Sequence, residues 1–187
     1  MLAAEPLDIP PQTDAVLSAR FPRTVDDLRS IETQLKRVVE QAQPATVAVF
    51  VGRSAGSGVI VSPEGLLLTA GHVIGRAKRR VRIFLPDGST LVGRSLGANH
   101  DIDAGLVQLD DPPDDLPFVP MAENRKLRQG EWVVTLGQPG GPVSDRTPPL
   151  RLGRVLFRED DLICTDCTLV GGDSGGPLFD MNGRVIG

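Results

Sequence analysis

No tyrosine occurs in the 187 residues, aromatic side chains make up 4% of the total, and there is a single tryptophan. Surfaces that bind nucleic acid by stacking its bases on aromatic rings have little to draw on here. Charge adds no general attraction for a polyanion, since 24 acidic residues face 20 basic ones for a net −4. The one basic cluster, Arg76, Lys78, Arg79, Arg80 and Arg82, lacks interleaved aromatics and reads as solvated surface. No nucleic-acid partner is expected. Long apolar runs are missing too: the longest, Val47–Val51, is stopped by Gly52 and Arg53, far short of the roughly 18–20 residues that a membrane span needs. Cysteine is scarce, and Cys164 and Cys167 cannot build a disulfide framework. With no second cysteine pair, and only His72 and His100 in the chain, they cannot complete a zinc site either. A redox CxxC places its first thiol at a helix start, whereas Leu162–Thr165 reads as strand, so both cysteines are expected to be small, half-buried residues. No metal and no cofactor is expected.

Met1–Pro11 has neither the basic start nor the apolar stretch of a signal peptide, although Ala3-Ala4-Glu5 would suit the flank of one already removed. The expected compartment is extracytoplasmic, periplasmic or secreted, in the second case and cytoplasmic in the first. Residues 1–23, with Pro6, Pro10, Pro11 and Pro22, read as an extended arm. From Thr24 to Gln43 the apolar residues Val25, Leu28, Ile31, Leu35, Val38, Val39 and Ala42 recur at spacings of three and four, which predicts an amphipathic helix over 24–43. Thr24 and Asp27 form a capping-box pattern at its start, and Pro44 stops it. Its Leu28, Ile31 and Leu35 face is expected to pack against the protein or a neighbouring subunit. Beyond Pro44 the texture is short β-rich runs between Gly, Pro and Asp turns, and Asp110–Asp115 divides them in two. The expectation is an all-β body with one unit over 44–115 and a second over 116–187.

The sharpest local signal is Gly171-Gly172-Asp173-Ser174-Gly175-Gly176-Pro177. Four glycines around a serine, in a β-rich segment, let the backbone bend sharply and approach a ligand closely. Such a serine can be an exposed nucleophile, with the Gly172 and Ser174 N–H groups aimed at a developing oxyanion. The plainer alternatives are a glycine-rich turn or a phosphate loop, and the latter would need a helix where Pro177-Leu178-Phe179 reads as strand. A serine nucleophile needs a base. His72, in Leu68-Thr69-Ala70-Gly71-His72, ends an apolar strand among small residues that leave an imidazole open, while His100 sits in the polar loop Asn99-His100-Asp101. The base needs a carboxylate to orient it. Asp103, just before the strand Ala104–Leu109, is the leading candidate, with Asp101 as the alternative.

These motifs resemble a known family. Thr69-Ala70-Gly71-His72, Asp103-Ala104-Gly105-Leu106 and Gly172-Asp173-Ser174-Gly175-Gly176-Pro177 stand in the order His, Asp, Ser of the trypsin-like serine endopeptidases. Gly56-Ser57-Gly58, Lys126-Leu127-Arg128-Gln129-Gly130-Glu131-Trp132-Val133, Thr165-Asp166 and the preceding helix are similar to the HtrA/Deg branch. The resemblance implies two perpendicular six-stranded β-barrels with a catalytic cleft between them. It makes Ser174 the nucleophile, His72 the general base and then acid, Asp103 the orienting carboxylate, and the Gly172 and Ser174 amides the oxyanion hole. Thr168, Leu169 and Val170 fall where the substrate pocket wall would be, which suits a small or medium apolar side chain. HtrA-like proteins commonly form trimers through their N-terminal segment, so a homo-oligomer through the helix is implied.

The sequence also departs from that branch. Asp173 stands where the branch usually has Asn; trypsins activated from zymogens have Asp there, paired with a newly cut N-terminal amine. No Ile-Val-Gly-Gly-like activation sequence lies near this N-terminus, so Asp173 needs another partner. The branch's PDZ domains are not expected within these 187 residues, and only residues 175–187 follow the serine, so the second barrel is expected to lack its last strands. The function expected is hydrolysis of polypeptides through an acyl-enzyme. A second reading is a non-catalytic peptide-binding or chaperone-like module of the same fold, inactive because the chain stops at Gly187. A third, an esterase with a Gly-x-Ser-x-Gly elbow, would require a helix after the serine and the chain order Ser, Asp, His.

Overall fold

A computed structural model describes residues 5–122, 127–138, 148–159 and 161–187. Ala3, Ala4 and Lys126, named above, lie outside the described residues. The helix expected from Thr24 is α2, Val25–Ala42, and its start is locked by the reciprocal bonds the sequence pattern calls for. The Thr24 hydroxyl accepts from the Asp27 N–H at 3.1 Å, and the Asp27 carboxylate accepts from the Thr24 N–H at 3.2 Å. Its buried stripe is Ile31, Gln34, Val38 and Ala42. The expected apolar face is therefore corrected at one end, because Leu28 is 53% exposed whereas Ile31 is 4% exposed. Val25 in the first turn is exposed as well, and burial sets in only from Ile31 onward. Gln34 is buried among apolar neighbours because its Nε2 donates to the Met181 carbonyl at 2.7 Å.

The extended arm expected over residues 1–23 is a second correction. Residues Pro11–Ser18 form a helix, α1, with Pro11 in its first turn and Leu17 buried. Proline at that position sacrifices only an N–H that has no partner inside the helix, so it starts the helix rather than preventing it. Ahead of α1 the chain is strapped to the body: the Leu7 N–H donates to the Asn182 carbonyl at 2.8 Å, and Asn182 Nδ2 returns a bond to the Leu7 carbonyl at 2.9 Å.

Six strands follow α2, namely β1 Thr46–Val51, β2 Ser54–Ile60, β3 Leu66–Ala70, β4 Arg80–Phe84, β5 Thr90–Asn99 and β6 Ala104–Leu109. They close into an antiparallel barrel in the order β1-β2-β3-β6-β5-β4, sealed where Val49 of β1 faces Ile83 of β4. Strand alternation fills the centre with small branched side chains: Val47, Val49, Val51, Leu67, Val81, Ile83, Val107 and Leu109 are all buried. A four-residue helix, α3 Gly71–Ile74, leaves the end of β3. Beyond Leu109 come β7 Trp132–Leu136, β8 Leu150–Glu159, β9 Leu162–Thr165 and β10 Leu178–Asp180. Among the described residues these make a four-stranded sheet, β10-β7-β8-β9. Val185 and Ile186, read as a strand, contribute single bridges from Val185 to Met121 and Phe179. Val134, Leu136 and Phe179 of the second sheet belong to the same buried apolar cluster as the barrel interior, so the two units share one core.

Within the basic cluster, Arg79 is half-buried, with its guanidinium bonding the Ile74 carbonyl at 3.2 Å and the Val51 carbonyl at 3.4 Å, while Arg76, Lys78, Arg80 and Arg82 are exposed. Both cysteines are free and half-buried. Among the described residues, no helix is long and apolar enough to cross a membrane.

Candidate active site

His72 occupies the second position of α3, directly after β3 ends at Ala70. Val73 and Ile74 plug the turn into the core, which leaves the imidazole facing out. Opposite, β3 pairs with β6 in a register that sets Ala70 against Ala104, so Asp103 arrives one residue beyond the ladder, level with α3. Asp103 takes a left-handed backbone conformation (φ 51°), which Asp tolerates better than most residues. The reward for that conformation is three bonds. The Gly71 N–H donates to the Asp103 carbonyl at 2.8 Å, the His72 N–H to Asp103 Oδ1 at 2.8 Å, and His72 Nδ1 pairs with Oδ2 at 2.7 Å.

Desolvation works against the charge on Asp103, but the main-chain and ring bonds from His72, with the nearby His72 and His100 imidazoles, outweigh it and hold the carboxyl below the usual aspartate range. An ionised carboxylate can only accept, so the proton in the His72–Asp103 bond sits on Nδ1 and Nε2 is left as the basic nitrogen. His100 is placed differently: its Nε2 bonds the Gly75 carbonyl at 3.0 Å. Asp101 lies in the preceding turn, where its N–H donates to Asn99 Oδ1 at 3.0 Å. Among the described residues no hydrogen bond joins the Asp101 carboxylate to either imidazole.

The serine loop comes from the second unit and is clamped to the barrel by β2. Ser57 does most of this. Its N–H donates to the Ser174 carbonyl at 2.8 Å, and its hydroxyl donates to the Gly172 carbonyl at 2.8 Å while accepting from the Gln138 N–H at 2.8 Å. Its own carbonyl accepts from the Thr69 hydroxyl at 2.6 Å. The neighbouring Gly56 is wedged between the units, since a Cβ there would stand 2.7 Å from both the Ser174 carbonyl oxygen and a Val73 methyl. Val73, next to the histidine, and the serine loop thus press on one point of β2. Gly175, at φ 82°, packs so closely against the end of β3 that a Cβ would lie 2.5 Å from the Ala70 nitrogen.

Asp103 and Ser174 line one cleft of about 620 Å³, with the Ser174 side chain exposed into it. Among the described residues no hydrogen bond joins the Ser174 hydroxyl to the imidazole. Of the three pocket residues expected from sequence, Leu169 lines the cleft. Thr168 and Val170 are exposed outside that lining, and the Val170 N–H is used within the loop, donating to Asp173 Oδ2 at 2.9 Å. Sequence reading missed Thr135, Ile163, Thr165 and Leu178, which line the same cleft. Their strands were legible, but which face of each strand turns to the cleft follows from the pairing of β10 with β7 and of β9 with β8, which local alternation does not encode.

The trypsin-like peptidase domain matches residues 56–187. Over 179 residues the chain is 33% identical to the "Probable periplasmic serine endoprotease DegP-like" of Pseudomonas fluorescens, covering 91% of this chain and 36% of that protein. It is 34% identical over 194 residues to "Serine protease HTRA2, mitochondrial" of Bos taurus, covering 92% and 42% respectively. It is also 33% identical over 180 residues to "Serine protease HTRA1B" of Danio rerio, covering 87% and 37%. The chain spans less than half the length of these curated relatives. Motif order, the closed barrel with a second sheet, and these matches together lead to one conclusion: the chain belongs to the trypsin-like peptidase family, in its DegP/HtrA branch of serine endoproteases.

Proposed function

We propose that this chain carries the catalytic centre of a serine endopeptidase, with Ser174 as nucleophile, His72 as general base and acid, and Asp103 as the carboxylate that orients it. The observation that carries the reading is the double hold of Asp103 on His72, through the main-chain N–H and through Nδ1, which leaves Nε2 free to work. Nε2 takes the proton from Ser174 Oγ as that oxygen attacks the carbonyl carbon of the peptide bond. The carbonyl oxygen becomes an oxyanion, received by the N–H groups of Gly172 and Ser174, with the Gly172 carbonyl tied away to the Ser57 hydroxyl. The imidazolium then protonates the leaving amine as the C–N bond breaks, which leaves an acyl group on Ser174. Water, deprotonated by the same Nε2, releases the acid product. Leu169, Ile163 and Leu178 give the cleft an apolar lining suited to a small or medium apolar side chain of the substrate. The periplasmic DegP-like relative supports an extracytoplasmic site of action, whereas the mitochondrial HTRA2 relative does not bear on it.

The test is Ser174→Ala, which is expected to abolish peptide hydrolysis and fluorophosphonate labelling while moving the melting temperature by little, because the side chain is exposed. Equal labelling of both proteins would remove Ser174 as nucleophile. A wild type that binds peptides and is not labelled would favour the binding-module reading.

A further inference from the structure

Asp173, directly before the proposed nucleophile, is a buried carboxylate with 4% of its side chain exposed. Its partner is Arg151, which lies on β8 and faces Thr135 across the strand pair. The guanidinium grips both oxygens, with Nη2 2.8 Å from Oδ2 and Nη1 3.2 Å from Oδ1, and its own side chain is 18% exposed. Arginine suits this contact because its planar fork matches a carboxylate at two points, which an ammonium cannot do. Oδ2 accepts in addition from the Val170 N–H at 2.9 Å. The loop is then folded around that carboxylate: the Asp173 N–H donates to the Val170 carbonyl at 3.1 Å, and the Gly176 N–H donates to the Asp173 carbonyl at 2.7 Å. A buried charge cannot leave its partner without a large cost, so the loop shape and the ion pair stand or fall together.

We infer that Arg151 is a positioning residue for the peptidase site, its ion pair with Asp173 holding the Val170–Gly176 loop so that the Gly172 and Ser174 amides converge on the oxyanion. The requirement for a positive partner at Asp173 is met from within β8, with no need for a charged chain terminus. This rests on the reading of Ser174 as nucleophile. Arg151 touches no substrate atom in this account and acts only through Asp173.

The experiment compares the full-length wild type with Arg151→Met, Arg151→Lys, and Arg151→Met combined with Asp173→Asn. It measures the rate of fluorophosphonate labelling, kcat and KM on a peptide substrate, and the melting temperature. Arg151→Met is expected to lose about 100-fold in labelling rate and kcat, the scale of losing one oxyanion donor, with KM changed much less. Arg151→Lys should fall between that variant and wild type. Adding Asp173→Asn to Arg151→Met should recover roughly tenfold, because the amide carries no uncompensated charge and its oxygen can still accept from Val170, yet stay about tenfold below wild type. If Arg151→Met melts too low to assay, the double variant decides by the same comparison with wild type. Wild-type labelling in either variant, or no gain from Asp173→Asn where both fold, overturns the inference while Ser174 stands. A wild type that is not labelled overturns the Ser174 reading and this inference with it.

Discussion

At the residue scale the site is a contest between burial and hydrogen bonding on Asp103, and the bonds prevail. Its folded pKa lies below the ordinary value, so the ionised pair contributes stability that is fully present above the usual aspartate range, about pH 4, and is lost as pH falls through the lowered folded value. Asp103→Asn is expected to make the acid limb of a plot of stability against pH shallower, by the share that Asp103 contributes beside Asp27, Glu32 and Asp87; an unchanged limb would show that those other carboxylates produce it. The same substitution should cut kcat by about 10⁴, since an amide facing Nδ1 no longer enforces the tautomer that leaves Nε2 basic. The analogous change at Asp101 should be mild. His72→Ala should eliminate turnover, whereas His100→Ala should leave most of it, because the His100 ring is committed to the Gly75 carbonyl.

At the scale of elements, α2 shows how a helix divides its apolar residues between core and surface. Ile31→Ala removes a buried side chain and should cost about 2–5 kcal/mol in denaturant unfolding. Leu28→Ser replaces an exposed one and should stay within about 0.5 kcal/mol. Phe21, Val25 and Leu28 leave an exposed apolar strip at the start of this helix. If the homo-oligomer that the resemblance implies forms there, Leu28→Ser should lower the sedimentation coefficient of the protein. An unchanged coefficient would remove that strip as the interface.

For the molecule as a whole, Ser57 couples the barrel to the serine loop. Its hydroxyl satisfies both the Gln138 N–H and the Gly172 carbonyl, and the residue is fully buried. Ser57→Ala leaves both groups unpaired, at about 1–3 kcal/mol each, and frees the loop that carries Ser174. Lower stability together with a fall in kcat larger than any change in KM is expected from thermal unfolding and steady-state kinetics. Loss of stability at unaltered kcat would mean that the loop holds its shape without β2.

Local order was well marked in the chain. The Thr24 and Asp27 cap, the period of α2, the strand Thr46–Val51, and the glycine-flanked serine all act through neighbours a few residues away, and those interactions can be read along a sequence. The helix Pro11–Ser18 was hidden because proline reads as a breaker unless its place at the helix start is known. Which strand faces line the cleft, and that Leu28 points to solvent, depended on where elements dock. The missing partner of Asp173 is the clearest case. Twenty-two residues separate it from Arg151, and nothing local distinguishes Arg151 from the other arginines in the sequence. The proposed chemistry was legible along the chain, because the residue types proposed for the triad and their glycine settings are local. Tertiary structure decided which charge neutralises which, because a buried carboxylate selects its partner by geometry across the fold, through the antiparallel register of β7 and β8 that brings Arg151 under the serine loop.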